Sequence, residues 1–258
     1  MELIVFIDSH CHLNCLENEH ETLPELIEKA RKAGVTHMLC PGIDSAHFEQ
    51  ILDIARAYPF IKAGLGIHPN DVDQYAISEN ELYDWLDDDE VIAVGETGLD
   101  YYRNSADIKL QQSQFRLHIQ VAKAQKKPLI IHAREAHADI LRILEEEQAG
   151  PAILHCFTET LDVALAAIDL GCLISFSGII TFKNAGALRE VVAALPIDKL
   201  LIETDAPYLA PTPYRGKMNQ PAYVPLVAEK ISEIKSLSVD EVARITSENF
   251  KNLMSWPC

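Results

Sequence analysis

Short aliphatic runs recur along the chain, each followed by a longer amphipathic stretch. Strands are predicted at Leu3–Asp8, His37–Gly42, Ile61–Ile67, Val91–Glu96, Leu129–His132, Ala152–His155, Cys172–Phe176 and Leu200–Glu203. Between them, apolar positions repeat at helical spacing over Leu23–Ala33, Phe48–Tyr58, Leu82–Asp87, Leu110–Lys126, Ala136–Glu147, Leu161–Leu170 and Leu188–Ala194. A last helical region runs from Val224 to about Leu253, with a break near Ser236–Ser238. Strands alternating with helices build right-handed βαβ units and a parallel sheet. Runs such as LIVFI, LIIH and LLIE suit strands buried on both faces. Eight such units in 258 residues predict an α/β fold of the TIM (β/α)8-barrel class. A doubly wound open sheet is the alternative. No Pro/Gly/Ser linker, low-complexity tract or strong repeat divides the chain, so a single domain over residues 1–258 is expected.

Composition adds compartment and charge. The chain is 48% hydrophobic and 24% charged, within the ordinary globular range. The first apolar run, Leu3 to Ile7, lies between Glu2 and Asp8 and is too short for a secretory signal. No stretch approaches the ~20 apolar residues of a membrane-spanning helix. Six scattered cysteines, with no CxxC pair, read as reduced thiols. A cytoplasmic protein with no membrane partner is expected. The net charge of −17 comes from 22 basic and 39 acidic residues, and no long Lys/Arg run advertises nucleic acid. Lys123, Lys126 and Lys127 gather at a helix end, where the helix dipole already favours cations.

The candidate chemistry collects at strand ends. Of ten histidines, His10, His12, His68, His132 and His155 stand at or just beyond a predicted strand's C-terminal end. Barrel enzymes build their sites at that end. His10 and His12 are two apart, so extended backbone turns both imidazoles to one face, a clamp suited to a transition metal. An HxH pair alone is equally compatible with core or surface packing. Glu96 ends the fourth predicted strand between Gly95 and Gly98 and could bridge two cations, or cap a helix. His132 and His155 each cap a successive apolar strand. Asp205 ends the last strand, which in a closed barrel lies beside the first, and Glu203 shares its side by the period of two. Buried acids need partners or cations. The set divides into His10, His12 and Asp205 around one ion and His132 and His155 around another, with Glu96 between.

These motifs resemble the TatD family of metal-dependent deoxyribonucleases, within the amidohydrolase-like barrels. The matching segments are FIDSHCHL at 6–13, GLGIHP at 64–69, VGETGLDYY from 94, QFRLHIQVAKAQKKPLIIHAR at 114–134, LHCFTET at 154–160, LLIETDAPYLAP at 200–211 and RGKMNQP at 215–221. The resemblance implies a barrel with one or two divalent ions that hydrolyses DNA phosphodiesters. It carries metal roles onto His10, His12, Glu96, His132, His155 and Asp205, and substrate-phosphate contacts onto His68 and Arg134. Related barrels often bridge their ions with a carboxylated lysine; here the fourth strand offers Glu96.

The expected mechanism uses two divalent ions to activate water and neutralise charge at phosphorus. Asp205 accepts the proton, and Glu96 and Glu203 complete the acidic set. Arg134 and His68 hold phosphate oxygens, although Arg134 could equally pair with Glu135. Histidine-rich ligation favours zinc, manganese, iron or nickel over magnesium, whereas the family resemblance points to magnesium. The acidic surface argues for short or single-stranded DNA ends as substrate, and no obligate protein partner is evident, so a monomer is expected. Two other readings stay open: hydrolysis of another ester or amide such as aminoacyl-tRNA on the same site, and a non-catalytic metal-binding interaction protein.

Overall fold

A computed structural model describes residues 5–17, 19–103 and 106–256. The strands are β1 (Phe6–Asp8), β2 (Val35–Pro41), β3 (Ile61–Leu65), β4 (Val91–Asp100), β5 (Leu129–Arg134), β6 (Ala152–Leu154), β7 (Cys172–Phe176) and β8 (Leu200–Ile202). All eight belong to one sheet, in chain order from β1 to β8, and the pairings are parallel. The helices are α1 (Leu23–Lys32), α2 (Phe48–Ala57), α3 (Val72–Tyr75), α4 (Glu79–Leu86), α5 (Ile108–Gln125), α6 (His137–Glu146), α7 (Leu161–Asp169), α8 (Gly186–Ala194), α9 (Val224–Lys235) and α10 (Val239–Met254). This is the (β/α)8 TIM-barrel class expected from the alternation of periods. Residues 3–4 of the first predicted strand, and Cys258, lie outside the described residues. Among the described residues the cysteines form no disulfide. Among the described residues no helix is long and apolar enough to cross a membrane.

The chain divides into two compact units, Met1–Cys40 with Cys156–Leu165 and Ile174–Cys258, and Pro41–His155 with Ala166–Leu173. In the first unit, the ends of β1 and β8 are laced together. Ser9 N–H donates to Ile202 O at 3.1 Å, Asp205 N–H to His10 O at 2.9 Å and His12 N–H to Ala206 O at 2.8 Å. Helix α10 packs on both strands. Its buried stripe, Val242, Ala243, Thr246, Phe250 and Met254, follows helical spacing. It starts where Ser238 and Glu241 form a capping box, and α9 ends where Ser236 turns left-handed at φ 55°, which is the break anticipated near 236–238.

In the second unit, β4 differs from expectation. The sequence ends it at Glu96, but it runs on to Asp100. Its pairing with β5 slips between Val94↔Leu129 and Thr97↔Ile131, so three steps of β4 match two of β5. That is a bulge at Gly95–Glu96, a device that re-aims a side chain without ending the strand. Gly95 and Gly98 both sit at φ 138°, where a Cβ would run into the carbonyls of Ile130 and His132 respectively. Gly95 therefore belongs to the bulge, and Gly98 continues the strand opposite His132. Helix α4 also begins earlier than Leu82, because Ser78 and Glu81 form a capping box.

Helix α5 carries a polar stripe that sequence alone would place in solvent. Gln111, Gln114 and His118 are all buried. Gln111 Oε1 accepts from Asp100 N–H at 3.0 Å, while its amide donates to the carbonyls of Asp100 and Ala106. Gln114 brackets the backbone of Ile77 in the same way. His118 Nδ1 meets Gln114 O at 2.7 Å, and its Nε2 accepts from Ile67 N–H at 3.1 Å. This network assigns the proton to Nδ1. Burial pushes His118 down to a pKa of about 4, so the ring is neutral. The stripe satisfies buried backbone groups and fixes the segments that carry His68 and Asp100.

Candidate metal centre

Two clusters of donor atoms stand beyond the C-terminal ends of the strands, one in each unit. In the first unit, His10 and His12 converge with their Nε2 atoms 3.3 Å apart, and each Nε2 lies 3.6 Å from Asp205 Oδ1. Three donors bound to one ion at about 2.0–2.2 Å in a tetrahedral array stand roughly 3.4 Å from one another. The spacing fits one cation. Asp205 does not end a strand as expected; it follows β8 in a left-handed turn at φ 57°.

Glu203 is held by its own hydrogen bonds. Glu203 Oε1 accepts from Cys156 N–H at 2.6 Å and its Oε2 from Ser175 Oγ at 2.6 Å. Behind the cluster, the wholly buried Asp8 accepts from Thr204 N–H at 2.9 Å and Thr204 Oγ1 at 2.6 Å, clamping β1 to the segment leading into Asp205. Burial pushes Asp8 up to about 7 and outweighs these hydrogen bonds, which favour the carboxylate. The buried Asn219 donates to the carbonyls of Thr204 at 2.8 Å and Tyr208 at 2.6 Å, so the loop is held from both sides.

In the second unit, Glu96 Oε1 is the meeting point. His155 Nε2 lies 2.8 Å from it, His132 Nδ1 3.1 Å and His68 Nε2 3.5 Å. His68, Glu96 and His132 form a group able to hold a metal ion. The other nitrogen of His132, Nε2, lies 3.2 Å from Asp100 Oδ2. A carboxylate behind the far nitrogen fixes the tautomer that leaves Nδ1 for a metal, a usual companion of ligating histidines. Asp100 is in turn held by Asn70 Nδ2 at 3.0 Å and Arg103 N–H at 2.9 Å. Burial favours its neutral form, but the bonds from His132, Arg103 and Asn70 prevail and hold its pKa below the usual carboxylate range. Burial disfavours charge on His132 too, yet Asp100 and Glu96 raise its pKa.

His68 stands at the edge of this cluster. Burial, reinforced by His132, pushes it down to about 3, so it is neutral. Its Nδ1 accepts from Asn70 N–H at 3.1 Å, which leaves the proton on Nε2. Arg134 ends β5, two residues beyond His132 and on the same face of the strand. It makes no ion pair with Glu135; its guanidinium lies 4.2 Å over the ring of Tyr102.

The sequence reading missed Asp8, Asp100, Asn219 and the stripe of α5. Asp8 and Asp100 carry a usable signal: they lie on the period of two with His10 and His12, and with Glu96 and Gly98. Asn219 and His118 carry none, because their partners are backbone groups distant in sequence.

Histidine-carboxylate clusters at the strand ends of a (β/α)8 sheet define a metal-dependent hydrolase. A family model described as TatD related DNase matches residues 7–255, and the chain belongs to that family. The chain is 40% identical over 257 residues to YcfH of Escherichia coli K12, an uncharacterized metal-dependent hydrolase, covering 96% of this chain and 94% of that protein. It is 40% identical over 255 residues to YabD of Bacillus subtilis, also an uncharacterized metal-dependent hydrolase, covering 96% and 98%. The crystal structure of YjjV, a TatD homologue from Escherichia coli K12, superposes with a TM-score of 0.92 at 29% identity, covering 99% of this chain and all of that one.

Proposed function

We propose that the protein hydrolyses phosphodiester bonds of DNA, acting on short pieces or single-stranded ends. The observation that carries this reading is Arg134. An exposed guanidinium, with no acidic partner among the described residues, stands on the same strand face as the metal donor His132, in a chain of net charge −17. An ester or amide of a neutral substrate offers such a group only uncharged carbonyl acceptors, whereas a phosphate matches both its charge and its planar fork. The family description as DNases points the same way.

In this reading His10, His12 and Asp205 would hold one divalent ion, and Glu96, His132 and His155 would hold another. Bound there, the ions supply Lewis acidity and make water acidic enough to act as a nucleophile near neutral pH. The histidine-rich donor set suits zinc or manganese, and exchangeable magnesium where ligation is weaker. The protein's own groups do the rest. Arg134 and the Nε2–H of His68 bind the non-bridging oxygens of the phosphate. Asp205 accepts the proton released as the nucleophile attacks. Glu203, through Ser175 and Cys156 N–H, acts by positioning rather than by touching substrate.

The test is a substrate panel. Metal-reconstituted protein is assayed on a single-stranded oligodeoxynucleotide and on carboxylic ester, amide and aminoacyl-tRNA substrates. Preferred turnover of the oligonucleotide supports the reading. Turnover of an ester or amide with an intact oligonucleotide refutes it.

A further inference from the structure

The RGKMNQP segment at 215–221 belongs to neither donor cluster, and its surroundings differ in charge from the rest of the chain. Acidic residues outnumber basic ones 39 to 22, yet residues 177–189 and 206–228, which follow β7 and β8, contain no Asp or Glu. They contribute Lys183, Arg189, Arg215 and Lys217. Other arginines are neutralised: Arg56 by Glu49 and Asp88, Arg116 by Glu146 and Glu147, Arg142 by Asp139 and Glu146, and Arg244 by Glu248. Among the described residues, Arg215 and Lys217 pair with no carboxylate. Both are exposed; Arg215 lies 3.5 Å over the ring of Phe182, and Lys217 Nζ is 5.9 Å from that of Tyr214.

These loops are built rather than loose. Arg189 donates to the carbonyls of Ile180 at 3.1 Å and Phe182 at 2.7 Å, which fixes the base under Arg215. Thr212 N–H donates to Thr181 Oγ1 at 2.9 Å, tying the two loops to each other. Tyr214 stacks on Tyr223 with ring centroids 4.1 Å apart and planes 3° from parallel. Asn219 then links this segment to Tyr208. Tyr208 is 58% exposed, and its ring centroid lies 6.2 Å from that of the metal donor His12. An exposed aromatic beside the cluster, followed in sequence by two cations with no carboxylate partner among the described residues, offers a base a stacking face and a backbone two phosphate partners. That combination recognises single-stranded nucleic acid without sequence preference.

We propose that the loops after β7 and β8 form a subsite for single-stranded DNA, with a base on Tyr208 and phosphates on Arg215 and Lys217. The proposal rests on the phosphodiesterase reading and deepens it. It also explains how an acidic protein engages a polyanion: the attraction is confined to one acid-free patch.

The experiment compares kcat/KM for a thymidine dinucleotide and an oligothymidylate dodecamer. It uses metal-reconstituted wild type, Tyr208→Ala and the Arg215→Gln/Lys217→Gln double variant. The wild type should prefer the dodecamer, and in each variant that preference should fall about tenfold, the scale of one lost stack or two lost phosphate contacts. The slope of log binding constant against log salt, read by fluorescence anisotropy with a phosphorothioate dodecamer, should become shallower by about 1.4 in the double variant, from ~0.7 per phosphate on a single strand. Equal losses on both substrates, or an unchanged salt slope, would overturn the subsite. A wild type that cleaves both while the variants keep its length preference overturns the subsite alone. A wild type that cleaves neither overturns the DNA reading and the subsite with it.

Discussion

His118 is the most quantitative test of how the scaffold supports the site. It is wholly buried on α5, neutral, and accepts from Ile67 N–H, one residue before His68. Its pKa falls from 6.5 to about 4 on folding, with burial as the cause. The sign follows from proton counting. Between pH 6.5 and pH 4 the unfolded chain binds a proton that the folded chain refuses, so stability falls as pH falls through that window. At pH 5 the unfolded form of this one ring is almost fully protonated and the folded form hardly at all. The penalty relative to neutral pH is about 2 kcal/mol, tending to about 3 kcal/mol below pH 4. His118→Gln keeps a donor and an acceptor in similar positions but cannot titrate. Urea unfolding at pH 7 and pH 5, with divalent ions chelated so that all other groups titrate alike in both proteins, isolates the difference. Wild type should lose about 2 kcal/mol more than the variant over this interval. Parallel losses would refute the neutral, buried assignment.

Three further outcomes follow from the same geometry. Asp100→Asn should weaken metal binding about 10–100-fold by isothermal titration calorimetry, because the carboxylate behind His132 is lost while its shape is kept; unchanged affinity would show that Asp100 does not act on the metal through His132. Gly98→Ala should lower stability in urea by about 2 kcal/mol or more, since its Cβ meets the His132 carbonyl at a φ that L-residues avoid; a neutral substitution would contradict the bulge geometry. Asn219→Ala should cost about 1–3 kcal/mol by leaving the Thr204 and Tyr208 carbonyls without their donor, and should weaken metal binding at His10, His12 and Asp205 as the loop loosens.

The fold and the donors were legible for different reasons. Alternating periods expose the barrel because strands buried on both faces are almost wholly apolar, as the fully buried β6 and β8 illustrate. His10, His132 and His155 stand out because an ionisable group directly after such a run needs a chemical reason. Glu96 was found for a partly mistaken reason: it sits on a bulge within β4, and only pairing with β5 reveals that Gly95 and Gly98 continue the strand. His118 and Gln111 stayed hidden because a polar residue on a helix is read as solvent-facing unless its distant backbone partner is known. Asn219 was hidden likewise, its partners at Thr204 and Tyr208 lying 15 and 11 residues away. That Arg215 and Lys217 meet no carboxylate among the described residues is a property of their neighbours in space, so the motif was visible in the sequence while its charge environment was not.

The central claim is that these donors hold the ions that drive DNA hydrolysis, and Glu96 is its crux, because His132, His155 and His68 all converge on one of its oxygens. The most direct measurement is cleavage of an end-labelled single-stranded oligodeoxynucleotide by wild type and Glu96→Ala, each reconstituted with magnesium, manganese or zinc and each checked for bound metal. The account predicts metal-dependent cleavage by the wild type, lost in the variant together with bound metal. Undiminished cleavage by Glu96→Ala, or cleavage by wild type that persists after chelation, would contradict it.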